Sequence, residues 1–113
     1  MAKVVQNITS EAFQKHTILF GDSQIFLKLR FFPRQMVWLM DVTYGTTSSY
    51  GVKLSVGVYH IFSRNLPFDF VVRDLSGNGI DPFKRTDFSE GRCELYLLET
   101  SDMETIRGVE VPE

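Results

Sequence analysis

The run Asp74-Leu75-Ser76-Gly77-Asn78-Gly79-Ile80-Asp81 is the nearest thing in this chain to a metal-binding loop. A calcium-binding helix–loop–helix needs oxygen ligands at loop positions 1, 3 and 5, glycine at 6 and a bidentate glutamate at 12. Asp74, Ser76, Asn78 and Gly79 fit the first half, but the twelfth position is Arg85, a cation where the anion belongs. The stretch reads as a tight turn of residues that tolerate positive φ, so no metal and no other cofactor is expected. His16 and His60 are far apart and lack neighbours at metal-ligand spacing, so surface or partly buried histidines are expected. Cys93, the single cysteine, sits between Arg92 and Glu94 in a strand-like run, where a buried thiol is the expected reading. Asp81 and Asp87 flank Lys84 and Arg85 and read as a solvated loop of mixed charge rather than a general acid–base pair. Serine, histidine and aspartate are present without any local nucleophile signature. No catalytic residue is assigned, and an enzyme is not expected.

One pattern suits binding better than catalysis. Phe26, Lys28, Arg30 and Phe32 alternate along one face of a strand-like run, with Arg34 just beyond. Aromatic rings interleaved with bases can stack single-stranded nucleic acid. They can equally form a protein contact, where phenylalanine and arginine are enriched. The second reading is preferred here, which makes Phe26, Lys28, Arg30, Phe32 and Arg34 candidate subunit-interface residues. The formal net charge of −2 makes no general case for nucleic acid, which favours a basic footprint.

The elements that would position these residues are strands. A chain of 113 residues fits one domain, and 43% hydrophobic with 23% charged content is ordinary for a globular fold. No run approaches a membrane-spanning length, and the first residues lack the apolar stretch of a signal peptide, so neither membrane insertion nor export is expected. Strands are expected over 14–20, 24–32, 36–44, 50–58, 68–74 and 92–99. In the second, Ile25, Leu27, Leu29 and Phe31 alternate with Gln24, Phe26, Lys28, Arg30 and Phe32, the two-residue period of a half-buried strand. In the third, Trp38, Met40, Val42 and Tyr44 share a face, and Trp38 is expected to anchor the core. Gly45 to Ser49 reads as a polar loop. Tyr59 to Phe62 either continues the fourth strand past a bulge at Gly57 or makes a short helical turn. The organisation is therefore an all-β domain over 14–99, a small barrel or sandwich of about six antiparallel strands. Residues 1–13 form an arm or edge strand, and 100–113 an acidic tail.

The order of these pieces resembles the cyanophage-type baseplate plug family of contractile-tail phages. The resemblance runs through Phe26-Leu27-Lys28-Leu29-Arg30-Phe31, Arg34 and Trp38-Leu39-Met40-Asp41-Val42. It continues in Gly51 to Gly57, Leu66 to Val72, Gly77 to Pro82, Asp87-Phe88 and Glu94-Leu95-Tyr96-Leu97, covering roughly 14–99. The turn after the second strand departs from the family pattern, reading Phe32-Pro33-Arg34 where Trp-Asn usually precedes the arginine. The resemblance implies a structural virion protein at the centre of a tail baseplate, made in the bacterial host cytoplasm. Its partners would be the hub, the tail tube, wedge proteins and copies of itself, with no small-molecule substrate. The alternative reading is a small β-barrel binding module for single-stranded nucleic acid, peptide or carbohydrate.

Overall fold

The computed structural model describes residues 3–61 and 66–99. Seven strands are formed among them: β1 (Lys3–Val4), β2 (Phe13–Phe20), β3 (Ser23–Phe32), β4 (Val37–Tyr44), β5 (Thr47–Lys53), β6 (Asp69–Asp74) and β7 (Cys93–Leu98). They make two antiparallel sheets, β2-β3-β4-β5 and β1-β7-β6. The fold is all-β, a sandwich whose two inner faces meet in one core. No helix among the described residues is long and apolar enough to cross a membrane.

Alternation decides which side chains go inward. Ile25, Leu27 and Leu29 of β3 and Trp38, Met40 and Val42 of β4 are buried, as are Phe70 and Val72 of β6 and Cys93, Leu95 and Leu97 of β7. Aromatic rings close both ends of this core. Phe20, Tyr44, Phe68 and Phe70 contact one another in turn at one end, with neighbouring ring centroids 5.1 to 5.9 Å apart. At the other, Trp38 lies between Phe31 and Phe88 at 5.4 and 5.5 Å. Much of the chain's phenylalanine is spent here, in offset and edge-on contacts that suit aromatic quadrupoles.

The structure corrects the fourth strand. It was expected over 50–58 after a polar loop at 45–49, but β5 begins at Thr47 and ends at Lys53. The connection is only Gly45-Thr46, with Tyr44 paired to Thr47 and Gly45 at φ 60°. A two-residue hairpin needs positive φ at that point, which glycine allows without a Cβ clash. Opposite Asp41 the pairing slips: Met40 faces Val52 while Val42 faces Ser49, so Tyr50 and Gly51 together face one residue. This bulge breaks the two-residue period and misplaces any strand drawn from alternation alone.

Beyond β5 the chain leaves the first sheet for the second. Leu54 N–H still donates to Trp38 C=O at 2.9 Å, and Val56 then bridges to Val72 in parallel. Tyr59 belongs to no strand, His60 and Ile61 lie in a turn, and Phe62 lies outside the described residues. This passage covers the outer edge of β6. The expected arm at 1–13 contributes β1 as an edge strand beside β7, while Phe13 belongs to β2. The tail at 100–113 lies outside the described residues.

Candidate functional site

The residues that looked capable of chemistry are occupied in holding loops. Asp74 Oδ1 accepts hydrogen bonds from the Ser76 amide and hydroxyl at 2.9 and 2.7 Å, and Oδ2 accepts from the Ile80 amide at 2.8 Å. The Ser76 hydroxyl, the Ile80 amide and the nearby Arg92 charge hold its carboxyl down at about 2. The calcium-loop lookalike is thus a turn built around its own first aspartate. Among the described residues no group of three His, Cys, Asp or Glu is placed to hold a metal ion.

Asp87 corrects a second expectation. It is not part of a solvated loop; it is buried, 1% exposed. Its carboxylate accepts from the Phe83 and Lys84 amides at 2.7 and 2.8 Å and takes a bidentate contact from Arg92 at 2.9 and 3.0 Å. Burial alone would raise its pKa, but the Arg92 contact and the two amides outweigh that and lower it. Arg92 also donates to the carbonyls of Ile80 and Asp81, both at 3.0 Å, and lies 3.1 Å from Asp74 Oδ1. Arg92 is not among the residues expected from the sequence to carry a role. The signal for it was a lone arginine beside a buried strand, following a loop rich in aspartate.

The remaining candidates are equally structural. His60 Nε2 accepts from the Ser55 amide at 2.8 Å, so its Nδ1 is the atom that donates to Phe70 C=O at 2.7 Å. It ties the passage between the sheets to β6. His16 Nε2 donates to Gln14 Oε1 at 2.8 Å, and burial lowers its pKa. The Cys93 thiol is buried, and desolvation pushes its pKa up to about 11, away from nucleophilic chemistry. Trp38 is fully buried, and its indole N–H donates to Lys84 C=O at 3.0 Å.

What faces outward on the four-stranded sheet is different. The register sets cross-strand rows on its outer surface. Thr17, Phe26, Thr43 and Ser48 form one row, Lys15, Lys28 and Asp41 the next, then Phe13, Arg30, Leu39 and Lys53, then Phe32 and Val37. Of the expected interface residues, Phe26, Lys28, Arg30 and Phe32 lie together here, and Arg34 is exposed in the turn beyond β3. Trp38 points the opposite way. The sheet adds Phe13, Lys15 and Leu19 from β2, whose own alternation in the sequence was the available signal. Leu19, Phe13 and Phe26 are 75%, 54% and 48% exposed. A shallow depression of about 460 Å³ lies beside Leu19 and Phe26.

The charges on this face are unbalanced. Lys53 reaches Asp81 at 3.7 Å, but Lys15, Lys28 and Arg30 stand against Asp41, whose Oδ1 is already engaged by Arg30 Nη2 at 3.0 Å and the Gly51 amide at 2.7 Å. Lys15 sits over the Phe13 ring at 5.9 Å and Arg30 over Phe32 at 5.5 Å. The arrangement can bind, through apolar area, cations and cation–π pairs. Compared with known proteins, the chain matches no family model and no curated sequence.

Proposed function

We propose that this protein is a structural, non-enzymatic subunit of a contractile phage-tail baseplate, resembling the central plug beside the hub and the start of the tail tube. The observation that carries the reading is the outer face of the four-stranded sheet. It sets exposed Leu19 and Phe26 in neighbouring rows and exposed Phe13 beyond the Lys15–Lys28 row, so that apolar and basic side chains alternate across one face. Aromatic and apolar side chains interleaved with arginine on one sheet face suit a protein contact, where phenylalanine and arginine are enriched. That face overlaps the segment on which the resemblance to the plug family rests, from Phe26 through Val42. Other supports are the spending of Asp74, Asp87, Arg92 and His60 on loop architecture, and a core that holds the sheet rigid behind the contact.

The test is the particle itself. Mass spectrometry of purified tails should find the chain alongside hub and wedge proteins, and a cryo-EM map should place it on the tail axis next to the hub. Tails complete in hub and wedge proteins but lacking this chain would refute the assignment.

A further inference from the structure

We propose that the outer face of β2 and β3, centred on Lys15 and Lys28, docks a carboxylate-bearing surface of a different protein chain. The inference rests on reading the protein as an assembly subunit and names the chemistry of the neighbour at that face.

Lys15 and Lys28 are directly opposed cross-strand partners. Like charges in that relation destabilise a sheet. The carboxylate that could offset them is Asp41, the partner of Lys28 on β4, but it is held by Arg30 and the Gly51 amide. Lys15 gains a contact with the Phe13 ring and Lys28 a share of Asp41, but the two ammonium groups gain nothing from each other. An incoming carboxylate between the two ammonium groups turns the repulsion into two favourable contacts. The rows on either side carry Phe26 and Phe13, both about half exposed, so the charged row lies between apolar steps. A partner surface alternating carboxylates with apolar groups complements this pattern.

Two other occupants fit less well. Single-stranded nucleic acid needs open ring faces for base stacking. Here Lys15 already covers Phe13 and Arg30 covers Phe32, which leaves Phe26. A second copy of this chain would have to supply the carboxylates. Related by a two-fold axis it would set lysines against lysines. With Asp41, Asp74, Asp81 and Asp87 engaged with amides or arginine within their own chain, any other homotypic contact would have to draw on Glu11, Asp22, Glu90 or the acidic 100–113 segment. A different chain is the better donor, and the local reversal of sign on a protein of net charge −2 would steer it to this face.

Zero-length carbodiimide cross-linking of purified tails reads the contact directly, because it joins lysine amines to carboxylates in salt-bridge reach. Lys15 and Lys28 should link to aspartate or glutamate of another baseplate protein. Lys15→Glu, which creates an opposite-charge pair with Lys28, should leave the purified chain as heat-stable as before or more so. It should nevertheless reduce incorporation into tails about tenfold or more, while Lys15→Arg incorporates normally. If the chain is present in tails but neither lysine links to another protein's carboxylate, the docking inference fails and the assembly reading stands. Absence of the chain from tails overturns both. Links only to a second copy overturn the assignment to a different chain. Binding of a labelled oligothymidylate by the purified protein, lost in Lys15→Glu, would assign the face to nucleic acid instead.

Discussion

The Arg92 guanidinium meets both Asp87 oxygens, two loop carbonyls and the Asp74 carboxylate, and it lies over the Phe83 ring at 5.4 Å. Removing one member of a buried, hydrogen-bonded charge pair leaves the other desolvated without a counterion. Arg92→Met should therefore cost about 3 kcal/mol in urea unfolding through the stranded Asp87, and Arg92→Lys should recover little because an ammonium lacks the planar fork. Acid should act on the same loop. Both Asp74 and Asp87 have folded pKa values below the unperturbed 3.8, Asp74 at about 2. A depressed carboxylate contributes stability that is present above the unfolded value and is lost as pH falls through the folded one. Circular dichroism melts should therefore show stability falling from just below pH 4 toward about pH 2. Trp38→Ala removes a fully buried ring and should cost about 3–5 kcal/mol. Trp38→Phe keeps most of the volume but strands the Lys84 carbonyl, for about 1–2 kcal/mol. Cys93, buried and with its thiol pushed to about 11, should resist alkylation until the chain unfolds.

Strand pairing has its own consequences. The opposed lysines of β2 and β3 lower the stability of the free sheet, so Lys15→Glu should raise it by about 0.2–1 kcal/mol, read from the urea midpoint. At the β5 bulge, Gly51 has φ 67° and its amide donates to Asp41. An added Cβ would meet nothing within 4 Å, so Gly51→Ala should cost backbone strain alone, about 1 kcal/mol. The same bulge explains why the fourth strand was illegible. Its first residues show no apolar alternation, since Thr47 and Ser48 are exposed and the inward position is the buried but polar Ser49, and the period resets at Tyr50-Gly51. β3, β4 and β7 were readable because each has an uninterrupted inner row, such as Ile25, Leu27 and Leu29. The basic–aromatic row of β3 was equally plain, but its neighbours on β2 went unremarked until the register placed them beside it.

At the scale of the molecule, the two sheets are closed along one side by the passage through Leu54, Val56 and His60. On the other, a cleft of about 350 Å³ lies between residues 3–7 and 16–19. Amide exchange should be slowest in β3, β4 and β7, which have neighbours on both sides, and fastest in β1 and along the outer edge of β2. Uniform protection across β2 and β3 would mean that something else covers that edge.

The sequence by itself determined that the chain is all-β, that Ile25, Leu27 and Leu29 share one face of β3 and Trp38, Met40 and Val42 one face of β4, and that Phe26, Lys28, Arg30 and Phe32 share the other face of β3. Those properties depend on a side-chain period of two, which is local to each strand. Tertiary structure decided what those residues meet. Lys15 faces Lys28 because the β2–β3 register puts it there. Arg92 finds Asp87 and Asp74, and Trp38 finds the Lys84 carbonyl, because loop closure brings distant parts of the chain together. Hydrogen bonds and ion pairs act over a few ångströms, so no spacing along the chain reports them until the fold has set the distances.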